Sequence, residues 1–358
     1  AWERAAREIG AAAGRAAYRA AAEADAIRSA ARSRSASLLG GVEPARVAFP
    51  GGATLALNLA IHGLVRPGDH VIATAADHNA TLRPLHFLAT RGLIETTIVP
   101  CDGVGRVDPA AVAVAWRPAT RLVVASHVSN VTGAMQDAAA LAAIAHDRGG
   151  LLLLDASQSL GLVPDIASST AADIIAAPAH KWLLGTSGVG ILWARAGVEP
   201  EPIIQGGTGT VSDTLDMPAA FADRFEAGTP DVPALAALVA AIDWLAELPA
   251  DRGPALGRGL AADCAARLRS LRRVRVIAAP DAAGIVSFTA EGYDPAEIAV
   301  LLEQMAGVQA RSGFHCAARI HEHLGTAAGG TVRLSFGPFN TGDDVEAVVA
   351  AMATLVST

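Results

Sequence analysis

At 358 residues the chain has room for two domains with sizeable cores. Its 28 Lys and Arg against 35 Asp and Glu give a formal charge of -7, so no global basic field attracts phosphate polymers and nucleic acid is not an expected partner. Although 52% of the residues are hydrophobic, no apolar run approaches the roughly 18 to 20 residues that cross a bilayer, so no membrane span is expected.

The N-terminal "AWERAAREIGAAAGRAAYRAAAEADAIRSAARSRS" is rich in Ala and Arg, as transit peptides are. Its acidic residues and continuous helical pattern instead predict an exposed helix belonging to the fold. Buried strands are then expected at "HVIAT" (70–74), "TTIVP" (96–100), "RLVVASHV" (121–128), "LLLLDAS" (151–157), "DIIAAPA" (173–179) and "VGILWA" (189–194). Helical patterns separate several of them, for example "DAAALAAIAHDRG" (137–149), which ends at Gly149. This alternation implies an α/β unit: a mainly parallel sheet with helices on both faces. Near Pro230 the texture changes. Long helices (232–248 and 256–273), short strands in "VRVIAA" and "AGIVSFTAEG", a helix (294–305), "GTVRLSFGPFNT" and a terminal helix make a smaller α+β unit. The expected division is a large domain, 1–235, and a small one, 236–358.

Ligands of an open parallel sheet gather at the carboxyl ends of its strands. Asp155 stands at such an end, with Gln158 just beyond it, and it fits a helix cap, a magnesium ligand or a partner for a protonated ring nitrogen. Lys181 in "AHKWLLGTSGVG" follows another strand. It is either a surface lysine or one desolvated enough to act as an amine nucleophile. An acidic residue for a pyridinium and a lysine for a Schiff base are the two polar partners that pyridoxal phosphate requires. A phosphate would need a helix N-terminus, and "PGGATLALNLAIHGL" (50–64) offers one, with Gly51, Gly52 and the Thr54 hydroxyl. No G-x-G-x-x-G occurs, so a Rossmann site is not expected. His78, just after "HVIAT", is either a satisfied polar residue or one that its place at a strand's carboxyl end lets stack on a planar ring.

The stretch "RSGFHCAARIHEHLG" (311–325) crowds His315, Cys316, His321 and His323 together. Residues 321 and 323 do not share a helix face, so joint metal coordination is not expected. The three cysteines, Cys101, Cys264 and Cys316, lie far apart without CxxC spacing, which suggests no disulfide framework and a reducing, cytoplasmic setting.

Taken in order, "GGATLALNLAIHGL", "GDHVIATAADHNATLRPL", "SHVSNVTGAMQD", "LLLLDASQSLG", "AHKWLLGTSGVGILW", "RFEAGTPD", "RSGFHCA" and "VRLSFGPFNTGDDVEAVV" carry a resemblance. The chain resembles the class V aminotransferase family of fold-type I pyridoxal phosphate enzymes, and within it the SUF-type cysteine desulfurases and selenocysteine lyases. The resemblance implies a seven-stranded, mainly parallel sheet in the large domain. It makes Lys181 the cofactor-linked lysine, Asp155 the partner of the ring nitrogen and His78 the stacking residue. Asn130 and Gln158 would bond the ring oxygen, with Asn130 also near the substrate. Thr54 and His180 would bind phosphate, with Ala53 also contacting the cofactor, helped by Thr229 reaching across from a second subunit, which implies a homodimer with shared active sites.

"RSGFHC" is similar to the desulfurase segment "RTGHHC", which maps the sulfur-accepting role onto Cys316. Arg333, assisted by Arg311, would clamp the substrate carboxylate, for which a guanidinium is suited. His315 or Arg311 is expected to promote ionisation of Cys316. The implied reaction turns L-cysteine into L-alanine, leaves a persulfide on Cys316 and passes the sulfur to an acceptor protein or thiol. The alternatives are another class V reaction that does not use Cys316, such as transamination, C–S lysis or selenocysteine cleavage, and a catalytically weakened binding subunit. Pro178 stands where the family has Ser or Thr, Thr186 where it has Pro, and Asp231 where it has Asn. The family's opening pattern, of the type "YLDNAAT", has no counterpart in this sequence.

Overall fold

The computed structural model describes residues 1–11, 13, 14, 16, 18–249, 252–279 and 281–357. The first unit is built on strands β1 (Val47–Ala48), β2 (His70–Thr74), β3 (Glu95–Val99), β4 (Thr120–Ser126), β5 (Leu151–Asp155), β6 (Ile174–Pro178) and β7 (Gly190–Ala194). They form one sheet in the order β1-β7-β6-β5-β4-β2-β3. Strands β2 to β6 pair in parallel; β7 runs antiparallel to both β6 and β1. All the expected strands are present, and β1, too short to show a periodicity, completes the seven.

Successive residues of these strands alternate between two cores. Leu152, Leu154 and Ile175 face one core, whereas Leu153, Ile174 and Ala176 face the other. The second core is covered by α3 (Ala53–Leu64) and α4 (Asn79–Thr90). The first is covered by α2 (Arg19–Leu38), α5 (Pro109–Ala115), α6 (Ala138–His146), α7 (Ile166–Thr170) and α9 (Val232–Glu247). Burial on both faces explains why the strands read as unbroken apolar runs. A short α8 (Phe221–Phe225) joins the second core through Phe221 and Phe225.

The N-terminal segment departs from expectation. The N-terminal helix is not continuous: α1 (Trp2–Glu8) and α2 are separate, and Gly14 between them takes a φ of 75°, in the left-handed region that ends helices. Nor is that segment exposed throughout, because Ala21, Ala24 and Ala31 are fully buried. In addition, Ala234, Leu235, Leu238 and Ile242 of α9 belong to the first core, and the C-terminal core begins at Ala261. On this packing we propose a division after α9, where the sequence suggested residue 235.

The second unit holds α10 (Pro254–Arg269), β8 (Val274–Ile277), β9 (Ile285–Ala290), α11 (Pro295–Ala306), β10 (Arg311–Gly313), α12 (Ile320–Leu324), β11 (Thr331–Ser335) and α13 (Gly342–Ser357). Its antiparallel sheet runs β10-β11-β9-β8. Ala317, Ile320 and Leu324 pack into the first unit's core, which seats the loop after β10 on the large sheet. No helix among the described residues is long and apolar enough to cross a membrane.

Candidate active site

The chain runs outward from β2 to β3 and returns to the other side of β2 as β4. The carboxyl ends of β2 and β4 therefore flank the switch point where open α/β sheets bind ligands. A cavity of about 330 Å³ lies there, lined by Gly52, Thr54, His78, Asn130, Asp155 and Lys181, and also by Ala53, Gln158, Pro178, His180 and Arg311. The fold thus gathers at one place nearly all of the candidate residues.

At one end of the cavity is the N-terminus of α3, whose first-turn N–H groups have no intrahelical acceptors. Gly52 has a φ of 131°, and a Cβ on Gly190 would lie 2.5 Å from the Gly52 carbonyl carbon. Only glycine at 190 lets β7 support this turn so closely. Asp155, also on the cavity wall, is buried and accepts the Ser157 N–H at 2.9 Å. Lys181 lines the same cavity, half-buried, with no ion-pair partner among the described residues. Burial, then Arg333 and Arg311, hold its pKa below the ordinary lysine value against the opposing pull of Asp155. Lys181 is also the only lysine in the sequence, a compositional signal that motif reading passed over. An anion cup, a buried carboxylate and a depressed lysine suit a planar cofactor with a phosphate at one end and a basic ring nitrogen at the other.

His78 caps α4: its Nδ1 accepts the Ala80 N–H at 2.9 Å. That bond fixes the proton on Nε2, and burial lowers its pKa, so the ring is neutral where it lines the cavity. Gln158 accepts the Trp182 indole N–H at 2.8 Å. Asn130 donates from Nδ2 to the His315 carbonyl at 2.7 Å, and its own carbonyl receives Arg333 Nη1 at 3.0 Å. Thr229 does not line this cavity; it lines a separate one with Pro50 and Gly51. Of the departures from the family pattern, Pro178 contributes no hydroxyl to the cavity, and Asp231 is explained by its capping of α9 through the Ala234 N–H at 3.0 Å. Thr186 keeps a buried hydroxyl oxygen with no partner among the described residues.

Cys316 is exposed and lines a second cavity, of about 580 Å³, which shares Thr54, His78 and Ala80 with the first. His315 and Cys316 have φ values of 52° and 60°, a left-handed conformation that costs roughly 1–2 kcal/mol per non-glycine residue. Two bonds hold it: Asn79 N–H donates to the Cys316 carbonyl at 2.7 Å, and Asn130 donates to that of His315. Arg311 Nη2 donates to Cys316 Sγ at 3.1 Å. His315 cannot supply a cation here. It is buried, its Nε2 is bonded to the Thr331 hydroxyl at 2.9 Å, and burial pushes its pKa down to about 3. Arg311, by contrast, is in direct contact with the sulfur. His321 is buried between the Thr326 hydroxyl (2.7 Å) and the Phe314 carbonyl (3.3 Å), where it supports the loop, and His323 is exposed.

Arg311 and Arg333 are direct cross-strand partners on β10 and β11. Like charges placed opposite each other destabilise a sheet unless an anion lies between them. Burial, reinforced by Arg311, pushes the Arg333 pKa down to about 10, so it stays charged at neutral pH. The pair is suited to a carboxylate.

Asp77 was not anticipated. It is fully buried, its two carboxylate oxygens accepting Thr74 N–H at 2.7 Å and Ser126 N–H at 2.5 Å, and so it ties the ends of β2 and β4 together beneath the cavity. The argument used for Asp155, an acid at a strand's carboxyl end, also picks it out. Burial pushes its pKa up to about 7, with Asp155 adding to the rise. A carboxyl whose folded pKa is raised contributes stability below its unfolded pKa, and that stability fades as pH rises through the folded value. The stability advantage of wild type over Asp77→Asn is expected to shrink from pH 4 to pH 7, by up to about 1.4 kcal/mol per unit. Urea unfolding at several pH values checks this; a constant difference contradicts it.

Comparison with known proteins agrees with this geometry. The family described as aminotransferase class-V matches residues 3–348. The chain is 34% identical to a probable cysteine desulfurase of Methanothermobacter thermautotrophicus, over 84% of this chain and 76% of that protein. It is 35% identical to one of Pseudomonas aeruginosa, over 89% and 80%. An apo cysteine desulfurase structure from Thermococcus onnurineus superposes with a TM-score of 0.90 at 28% identity, covering 99% of this chain and 90% of that one. Both the sequence match and the arrangement of Lys181 and Asp155 at the sheet's switch point lead to one conclusion: the chain belongs to the class-V aminotransferase family.

Proposed function

We propose that the chain is a pyridoxal phosphate-dependent cysteine desulfurase that moves the sulfur of L-cysteine onto Cys316 and releases L-alanine. One observation carries this function: the cavity containing Lys181 and Asp155 shares a wall with the cavity lined by Cys316. A lysine-bearing cofactor site and a fixed, exposed thiol are thereby adjacent.

The α3 N-terminus, Thr54 and His180 would hold the phosphate, Asp155 the ring nitrogen, and Asn130 and Gln158 the ring oxygen, with neutral His78 against the ring face. When bound, the cofactor supplies an electron sink that lets the substrate Cα release its proton. Lys181, its pKa lowered by burial, serves as the base that takes that proton and returns it. Arg333 and Arg311 orient the substrate carboxylate. Arg311 also donates to Cys316 Sγ at 3.1 Å and holds the sulfur in place for its attack. The Cys316 sulfur bonds to the substrate sulfur as the substrate's C–S bond breaks. L-Cysteine and the Cys316 thiol thus become L-alanine and a Cys316 persulfide, with no external oxidant.

Thr229 lies outside the Lys181 cavity of its own chain. This supports a homodimer in which Thr229 completes the partner's phosphate site, with the persulfide sulfur then passing to an acceptor protein or thiol. Product analysis with L-cysteine and a thiol reductant is expected to give alanine and sulfide in equal amounts. Pyruvate and sulfide without alanine would instead indicate C–S lysis.

A further inference from the structure

We propose that Trp182 is a positioning residue that fixes which way the Gln158 amide faces and ties that orientation to the seating of the C-terminal unit. The inference rests on the cavity's being the pyridoxal phosphate site. An indole N–H can only donate, so the 2.8 Å bond from Trp182 Nε1 commits the Gln158 oxygen. The amide's NH₂ group is then turned away from Trp182, and Gln158 lines the cavity. That bond fixes which end of the amide faces Trp182, and a half-turn about its last torsion would present an acceptor to the ring oxygen in place of a donor.

The other edge of the same indole touches the second unit. A Cβ on Gly284 would lie 2.9 Å from Trp182 Cη2, and Gly284, with a φ of 71°, sits immediately before β9. The Gly284 carbonyl accepts the Phe336 N–H at 2.8 Å, which joins this turn to the end of β11, the strand of Arg333. Trp182, Gly284, Phe336, Leu162 and Pro254 line one small apolar cavity between the units. One rigid side chain therefore spans from the ring-oxygen donor to the unit that carries Arg311, Cys316 and Arg333, and a shift of that unit presses on Gln158.

The test uses the cofactor-loaded enzyme and reads the pH midpoint of its visible absorption band, not turnover. A donor at the ring oxygen disfavours a further proton nearby, so losing it raises the midpoint. Trp182→Phe keeps most of the bulk and removes the N–H. It is expected to raise the midpoint by about 0.5–1 pH unit, the size of one hydrogen bond. Gln158→Leu should raise it similarly, and the double variant should match Gln158→Leu alone. Trp182→Tyr, which likewise removes the indole N–H while keeping a ring, should move the midpoint in the same direction and provides the test if Trp182→Phe folds poorly. An unmoved midpoint in Trp182→Phe while Gln158→Leu shifts, or strictly additive effects, would overturn the proposal. Absence of a visible band in wild type would sink the cofactor assignment itself, a distinguishable failure.

Discussion

Lys181→Ala is expected to lose the visible absorbance of the loaded enzyme and at least about 10³-fold of its activity toward L-cysteine, with little change in thermal stability. Three observations converge on so large an effect. Lys181 is the only lysine in the chain, so no neighbour can take over its amine. Burial keeps its pKa below the ordinary value, which increases the uncharged, nucleophilic fraction near neutral pH. It also has no ion pair to lose among the described residues, so its removal breaks no salt bridge. Borohydride reduction followed by peptide mapping checks the same point in wild type. The cofactor should be fixed to the peptide containing Lys181, and labelling elsewhere would contradict the assignment.

The second large effect separates desulfuration from other class-V chemistry. Cys316→Ala is expected to lower alanine formation from L-cysteine by about 10²-fold or more while leaving the visible band and its pH midpoint as in wild type. The side chain lines the adjoining cavity and not the Lys181 cavity itself, so cofactor contacts survive its truncation. Asn79 and Asn130 hold the loop through backbone carbonyls, which the substitution leaves in place. Full activity in this variant would mean that sulfur leaves by a route that does not use Cys316.

How much of this was legible in the sequence follows from the range of the forces involved. The central strands were readable because burial on both faces writes unbroken apolar runs, as in "LLLLD". The candidate site was readable because strand ends and a helix N-terminus are local features that place Asp155, His78 and Thr54. β1 was not, since two residues carry no period and its pairing with β7 is a long-range event. The interruption of the N-terminal helix and the packing of α9 on the first core also depend on partners distant in the chain. For the same reason His315 was open as an aid to Cys316. Its bond to Thr331 and its burial belong to the small sheet, whereas Arg311 reaches the thiol from β10. Family resemblance supplied what local pattern could not, above all a role for a lone cysteine. The link from Trp182 to Gln158 had no local signature at all.

The most direct measurement is the mass of the Cys316-containing peptide after brief incubation of the loaded enzyme with L-cysteine in the absence of reductant. Wild type should carry one added sulfur on Cys316, removed by a thiol reductant, with none on Cys101 or Cys264. Steady alanine production with an unmodified Cys316 would contradict the account.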